Sequence, residues 1–586
     1  VPDKGFDLND FSMLMIGIGT LIGLVAILYV IRKALTERGG EVGGWTLSGA
    51  GRNITAIART TLAEGLRARI AFGFLLLILI SVPSFYFTAD GDGTIKGQVQ
   101  MYMTYSLGFS SFVLALLTVI FSCRSLSNEI ASRQIYSIIA KPVPRWQILA
   151  GKWTGVMVLN VGVMLLVGVL TYVGVVFILS DFKSTLYREL TTEGGITPTQ
   201  AERFVASLED VKGMGVAGKE SPVVTAMKEA TGLTRDDVSD VLLRLPEATR
   251  VNLRRFDELR RQVLVSRATL NVEVDEEAFQ KALLTEYKRR EEAGTIPETV
   301  ATNIVMEQIR SEVWGRFCRV EPLRFKTWTL KGPAPQKGDD FIASIRYNVK
   351  TQSLMQAWRH PLTGQVLEKD TILCQWAIGA ADNPNRVERT EAIPVETTKE
   401  IEFPAEAIAN DGTIVVEFAN IDPRSAAAAF DLPEALKVLY VVGNFEANLL
   451  QACLAALIPL ASLATFGVFA STFLTFPVGS MILIFLYILS NSMGFVAESL
   501  AVAEEYFDPT VAQPLSFEIR RIVVDILEWL LSLGDLTPLG SVMEGQAIGW
   551  ATLGLSFVKF VLVKGGIAMI IAVLVFRRRE LAAVTV

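Results

Sequence analysis

Long apolar runs alternate along this chain with charged stretches, and the alternation is coarse. Seven runs are long enough, or nearly so, to cross a bilayer as helix, which takes roughly 20 residues. They are Phe11–Ile31, Ile70–Phe87, Met101–Ser122, Thr154–Ser180, Leu449–Ser471, Val478–Ser499 and Thr552–Phe576. The second is short and gains length from the helix before it. The seventh contains Lys559 and Lys564, whose stems reach toward an interface. Two amphipathic helices lie beside the runs. In Asn53–Arg69 the residues Ile54, Ile57, Ala58, Thr61, Leu62 and Gly65 recur at helical spacing, and the charges fall largely elsewhere. In Ser516–Leu533 the stripe is Ile519, Ile522, Val523, Ile526, Leu530 and Leu533.

From Ser180 to about Gly443 no run is long enough to span. The first half, residues 181–316, carries helical spacing in segments such as "TPTQAERFVASLED" and "PEATRVNLRRFDELRRQVLV". The second half, residues 317–443, alternates with period two. Phe341, Ala343, Ile345, Tyr347 and Val349 share one face, as do Ile414, Val416 and Phe418. Turn signals separate these runs, and together they predict a β-sandwich of jelly-roll type.

Composition agrees with a membrane chain. The sequence is 51% hydrophobic, with a mean hydropathy of +0.39, a level soluble proteins rarely reach. A net charge of −6 without a basic tail gives no reason to expect nucleic acid. Basic clusters set the direction of the spans. Arg32 and Lys33, Arg52 to Arg69, Arg124 to Lys152, and Arg577 to Arg579 all fall on one side if the N-terminus is outside and the C-terminus inside. The first run lacks a basic leader and follows Asp3, Asp7 and Asp10, so it reads as a retained span. Its "GIGTLIG" reads as small residues for helix contact rather than a dinucleotide loop.

The chemistry of sites is sparse. One histidine, His360, stands against a multi-histidine metal site or a Ser-His-Asp arrangement, and no paired-carboxylate or nucleophile–base motif lies in or beside the spans. The chain is therefore read as non-catalytic. "GMGVAGKE" (Gly213–Glu220) has the skeleton of a phosphate loop but puts Glu220 where Ser or Thr must reach magnesium, so it reads as a chance match. Trp328, Trp358 and Trp376 are stacking candidates that read better as strand-core aromatics. Cys318 and Cys374 sit in the polar middle, in a compartment that permits disulfides, and are candidates for a bridge left open by the unknown strand register.

The densest signal is "NEIASRQIYSIIAKPVPRWQILAGKW" (Asn128–Trp153), between the third and fourth runs. Glu129 and Arg133 stand at i, i+4. Pro142 and Pro144 force extended geometry on Lys141 and Val143 just before Arg145. This long, basic, patterned loop resembles the cytoplasmic loop of ABC-2 type transporter permeases. The amphipathic helix with its span (Ile54–Ile80) resembles that family's elbow helix. "LATFGVFASTFLTFPVGSMILIFLYI" (Leu463–Ile488) resembles a turn between later spans, and "FRRREL" (Phe576–Leu581) its C-terminal end.

The resemblance implies a permease subunit in a bacterial plasma (inner) membrane, working with a separate ABC ATPase and a second permease copy or a paralogous permease. ATP and magnesium would be held by the ATPase, and no cofactor by this chain. Glu129, Arg133, Lys141, Pro142 and Arg145 match the loop that docks on the ATPase. The expected fold is an α-helical polytopic membrane protein of about seven spans, N-out and C-in, with an inserted extracytoplasmic α+β domain. Residues 1–32 form an extra span; 33–180 the elbow, three spans and the loop (123–153); 181–316 a helical subdomain; 317–443 the sandwich; and 444–586 three spans with the amphipathic helix 516–533. Membrane lipids and an extracytoplasmic protein or glycan complete the expected partners. The alternative is a mechanical or scaffold protein that moves its outer domain without transport.

Overall fold

The computed structural model describes residues 49–89, 91–134, 143–210, 222–272, 276–295, 302–335, 342–351, 358–359, 366–367, 371–424, 427–432, 435–505, 540 and 544–578. The expected span Phe11–Ile31, the helix Ser516–Leu533, the loop residues Lys141 and Pro142, His360 and Gly213–Glu220 lie outside these residues.

The apolar runs fold as a helical bundle. Helix α1 (Gly49–Arg67) gives way at the extended residue Ala68 to α2 (Arg69–Thr88). Next come α3 (Ile95–Ala131) and α4 (Arg145–Thr192). Thr94 caps α3 by accepting a hydrogen bond from the Gly97 N–H, which satisfies one of the otherwise unpaired donors of the first turn. Much later come α11 (Phe445–Ser471), α12 (Phe476–Glu505) and α13 (Trp550–Arg578), the last containing a π-helical stretch at Phe557–Gly565. Among the described residues five of these, α2, α3, α4, α11 and α13, are long and apolar enough to cross a membrane, and α12 is apolar over Phe476–Ser492. The chain is thus a polytopic membrane protein with a separate β domain. Helices α3, α4 and α11 form the centre. They approach closely at small residues: a Cβ on Gly168 of α4 would lie 2.8 Å from Cys453 Sγ, and one on Gly467 would collide with the Ser122 side chain.

Helix α4 has 48 residues, about 72 Å at 1.5 Å per residue, far more than the roughly 30 Å hydrocarbon core. Its last turns carry a layer of shorter helices: α5 (Pro198–Asp210), α6 (Pro222–Thr231), α7 (Arg235–Arg244) and α8 (Glu247–Gln262). Leu186 and Leu190 of α4 are buried in one core with Ala201, Phe204 and Val241. Helices α9 (Glu276–Glu292) and α10 (Thr302–Cys318) pair separately through Phe279, Leu283, Ile309 and Val313.

The β domain contains two four-stranded antiparallel sheets, with two short ladders, β2 (Arg319–Val320) with β11 (Ala428–Ala429) and β5 (Trp358–Arg359) with β6 (Val366–Leu367). One has the order β1 (Val265–Asn271), β12 (Leu436–Asn444), β4 (Ile342–Tyr347), β9 (Lys399–Pro404). The other has the order β3 (Arg324–Lys331), β10 (Thr413–Asn420), β7 (Thr371–Ile378), β8 (Val387–Pro394). Their buried faces share one core, in which Tyr347 meets Trp376 at 4.9 Å between ring centroids and Trp376 meets Phe418 at 4.8 Å. The expected faces hold where they are described: Ala343, Ile345, Tyr347 and Val349 are buried, as are Ile414, Val416 and Phe418, and Phe341 lies outside the described residues. Trp328 and Trp376 are core residues rather than stacking platforms, and the side chain of Trp358 lies outside what is described. Strand β12 runs directly into α11 at Asn444, so the sheet and a central span are one continuous piece of chain.

Two expectations are corrected. Residues 181–316 are not helical throughout. The helix read across "PEATRVNLRRFDELRRQVLV" ends at Gln262, and Val265–Asn271 forms β1, paired with β12. That pairing joins residues far apart in sequence, so local helical spacing could not announce it. The candidate bridge is also absent. Cys318 and Cys374 are both free, buried thiols in the same apolar core. Cys318 ends α10, whereas Cys374 lies in β7 opposite Glu391 and Asn420. Burial pushes the Cys374 thiol well above its ordinary range, so it behaves as a small apolar side chain.

Candidate functional site

The feet of the Asn128–Trp153 stretch come together at one end of the bundle, called here the loop end. Helix α3 stops because Arg133 turns left-handed, at φ 61°, with its N–H on the Ile130 carbonyl at 3.2 Å. Helix α4 starts because Pro144, at φ −58° and ψ 138°, caps it and cannot continue a helix backwards; the Gln147 N–H bonds the Pro144 carbonyl at 2.9 Å.

Glu129 and Lys152 close the base of the loop. Lys152 Nζ donates to Glu129 Oε1, with Lys152 1% exposed. Glu64 of α1 stands 3.9 Å from the same ammonium and is half exposed. The second oxygen of Glu129, Oε2, is buried without a hydrogen-bond partner. The expected Glu129–Arg133 pair is therefore not formed. Glu129 faces inward, because a lysine from the far foot of the loop outcompetes a neighbour that the left-handed turn carries away. Arg133 is exposed.

Arg145 closes a second contact. Its guanidinium donates to the carbonyls of Phe576 and Arg577, the latter at 2.7 Å, and lies 5.6 Å over the Phe576 ring. A cation at the last carbonyls of α13 satisfies acceptors the helix cannot pair itself. Around it Leu126, Ile148, Leu149, Val468, Ala572 and Phe576 form a fully buried apolar plug from α3, α4, α11 and α13. Trp153 donates its indole N–H to the Ala461 carbonyl at 3.2 Å, and the Ser127 hydroxyl donates to the Leu474 carbonyl at 3.1 Å.

Helix α1 lies against the first turns of α4. Asn53 Nδ2 donates to Gln147 Oε1 at 3.0 Å. A Cβ on Gly151 would sit 2.7 Å from Ile57 Cβ, and one on Gly155 2.7 Å from the Ala58 carbonyl oxygen. Only glycine lets the two helices approach this closely.

The structure thus places Glu129 and Arg145 in two separate contacts at the loop end, and leaves Arg133 on its surface. Sequence reasoning passed over Lys152 as one more basic residue, over Gly151 and Gly155, and over Trp146, which is 47% exposed beside Arg145. The glycine pair had a readable signal, the G-x-x-x-G spacing in "GKWTG". Lys152 had none, since its burial depends on a partner across the loop. Among the described residues no grouping of His, Cys, Asp and Glu is suited to hold a metal ion.

Residues 21–186 match the family model described as ABC-2 family transporter protein. Over that stretch the chain is similar to the ABC-2 family transporter proteins. No curated protein and no solved structure gives a match. The matched stretch contains α1, α2, α3, the loop and most of α4, so the Asn53–Gln147, Glu64–Lys152 and Glu129–Lys152 contacts lie within it. The partners of that base in α11 and α13, including Ala461 and Phe576, lie beyond it.

Proposed function

We propose that this chain is the permease subunit of an ABC transporter, and that a separate ATPase docks on the loop end. The observation that carries the reading is the family match over residues 21–186, which includes α1 and the loop with its closed base. The proposed surface is formed by Arg133 and Trp146, both exposed, with Arg145 half-buried behind them. Glu129 and Lys152 act differently. They tie α3 to α4, so that a push on the loop moves both helices as one. ATP and magnesium belong to the ATPase, and this chain performs no catalysis. The basic clusters support a loop end in the cytosol and a β domain on the opposite face of a plasma membrane. A second copy or a paralogous permease would complete the path, against the apolar faces that α2 and α4 leave exposed.

The reading is tested by purifying the full chain from its native membrane and identifying what co-purifies. An ATPase subunit is expected, and Arg133→Glu with Trp146→Ala is expected to cut its recovery at least tenfold without changing the chain's unfolding temperature. Recovery of the native chain without any ATPase overturns the proposal and favours a scaffold role.

A further inference from the structure

Two elements run from the loop end toward the β domain. The first is α4. It starts at Arg145, at the exit of the loop, and continues unbroken to Thr192 inside the layer of short helices. There Phe182 stacks on Phe256 of α8 at 5.4 Å, and Glu189 accepts the Thr249 hydroxyl. Helix α8 ends at Gln262 and β1 begins at Val265, so the layer leads directly into the sheet. The second is α13. Its loop-end carbonyls are held by Arg145. In the middle it touches α11 along one line, at Phe560, Val561 and Gly565, while Leu555, Leu562, Ile567 and Ile570 face outward.

At the domain end, the segment just before α13 is stitched to the outer edge of β1. The Arg267 N–H donates to the Gly545 carbonyl at 2.7 Å, and the Ala547 N–H donates to the Arg267 carbonyl at 2.6 Å. The Arg267 guanidinium, 3% exposed, donates to the Glu544 carbonyl at 2.8 Å and to Glu400 at 2.7 Å. Arg346 bonds the Glu544 carboxylate and stands 3.5 Å from Glu400. Gly545 has a φ of +66°, and a Cβ there would lie 2.0 Å from the Gln262 carbonyl oxygen, so the end of α8 and the start of α13 meet at the same point. Two arginines and two carboxylates form a neutral joint across four pieces of chain. An ionic joint of this kind is a poor source of stability compared with apolar packing, but its directional bonds fix one register.

We propose that α4 and α13 act as paired rods, and that the Arg267–Arg346–Glu400–Glu544 joint passes displacement of the loop end to the β domain. The domain is then the moving output of the machine. Arg267, Arg346, Glu400 and Glu544 are positioning residues. This rests on the reading that an ATPase drives the loop end. What supports it is that both rods are helices with hydrogen-bonded contacts at both ends.

The test uses the full complex in lipid nanodiscs, with spin-label distances measured without nucleotide and with ATP trapped. One label pair, Thr55→Cys with Ser132→Cys, reports the loop end. Another, Thr88→Cys with Asp382→Cys, reports the domain against α2; all four positions are exposed. Both pairs are expected to shift in the native chain. Arg346→Met with Glu544→Gln keeps the backbone pairing of β1. It is expected to retain ATP hydrolysis and the loop-end shift, and to lose at least half of the domain shift. Arg267→Lys, which keeps the charge, is expected to lose less. A domain shift unchanged in the double variant, or a native domain that stays still while the loop end moves, overturns the proposal. A loop end that does not respond to nucleotide overturns the reading beneath it, and the proposal with it.

Discussion

Removing Lys152 should damage the protein more than removing Glu129, although each breaks the same ion pair. Both side chains are out of water: Lys152 is 1% exposed and Glu129 9%. At a charged hydrogen-bond separation of about 3 Å and an effective dielectric of about 20, Coulomb's law gives about 5 kcal/mol of attraction. Desolvation offsets much of this in the intact pair. Breaking a buried pair from one side costs about 3–5 kcal/mol, because the surviving charge keeps its desolvation penalty. The surviving charges are not equivalent. In Glu129→Ala, Lys152 still has Glu64 at 3.9 Å, and that carboxylate is half in water and able to approach. In Lys152→Ala, Glu129 is stranded with both oxygens unpaired, since Oε2 already lacks a partner. We therefore expect a loss of about 2–3 kcal/mol for Glu129→Ala and about 4–5 kcal/mol for Lys152→Ala. The double change Glu129→Leu with Lys152→Met should recover most of it. The assay is denaturant unfolding of the full chain in lipid nanodiscs, with the coupling energy taken from the double-mutant cycle. Losses below about 1 kcal/mol, the range of an exposed pair, or a double variant no better than Lys152→Ala, would refute the argument that the pair is a buried clamp.

Further outcomes follow from other contacts. Gly155→Leu should cost about 1–3 kcal/mol by overpacking, because the Ala58 carbonyl it meets is backbone and cannot turn aside; Gly162→Leu, with open space around it, should cost under about 0.5 kcal/mol in the same unfolding assay. Burial would raise the Asp422 carboxyl, but Arg424 and the Leu373 and Arg424 N–H groups overcome this and hold it below the ordinary carboxylate range. Its contribution is therefore present in full above the unfolded value of about pH 3.9 and is lost as pH falls through the lower folded value. Fluorescence of the buried Trp376 and Trp328 should report β-domain loosening in that acid window, with a shallower pH dependence in Asp422→Asn. Cys123, Cys318, Cys374 and Cys453 are free and buried, so intact mass under non-reducing conditions should show four thiols, and maleimide should label them only after denaturation; a mass two hydrogens lighter would restore the bridge.

The sequence determined by itself whatever depends on local period and on the solvent each segment needs. Runs such as Thr154–Ser180 and Leu449–Ser471 had to be helical, because a bilayer satisfies no open backbone group. The period-two faces at Ala343 to Val349 and Ile414 to Phe418 had one buried side, since a strand alternates whatever it packs against. Pro142 and Pro144 marked a break between the third and fourth runs before any partner was known. The loop itself was legible for the same reason: its prolines and its charge between two apolar runs are local facts. What it does at its feet was not. Glu129 looked like the start of an i, i+4 pair, and only the return of α4 beside α3 supplied Lys152. Arg145 looked like a docking charge, and only α13 brought the Phe576 and Arg577 carbonyls to it. Val265–Asn271 carried helical neighbours and became a strand because β12 and the 544–547 segment flank it. In each case the deciding partner lies elsewhere in the chain, from Lys152 across the loop to the last span. Burial of a charge or pairing of an edge is a property of two segments together, which no single window of sequence contains.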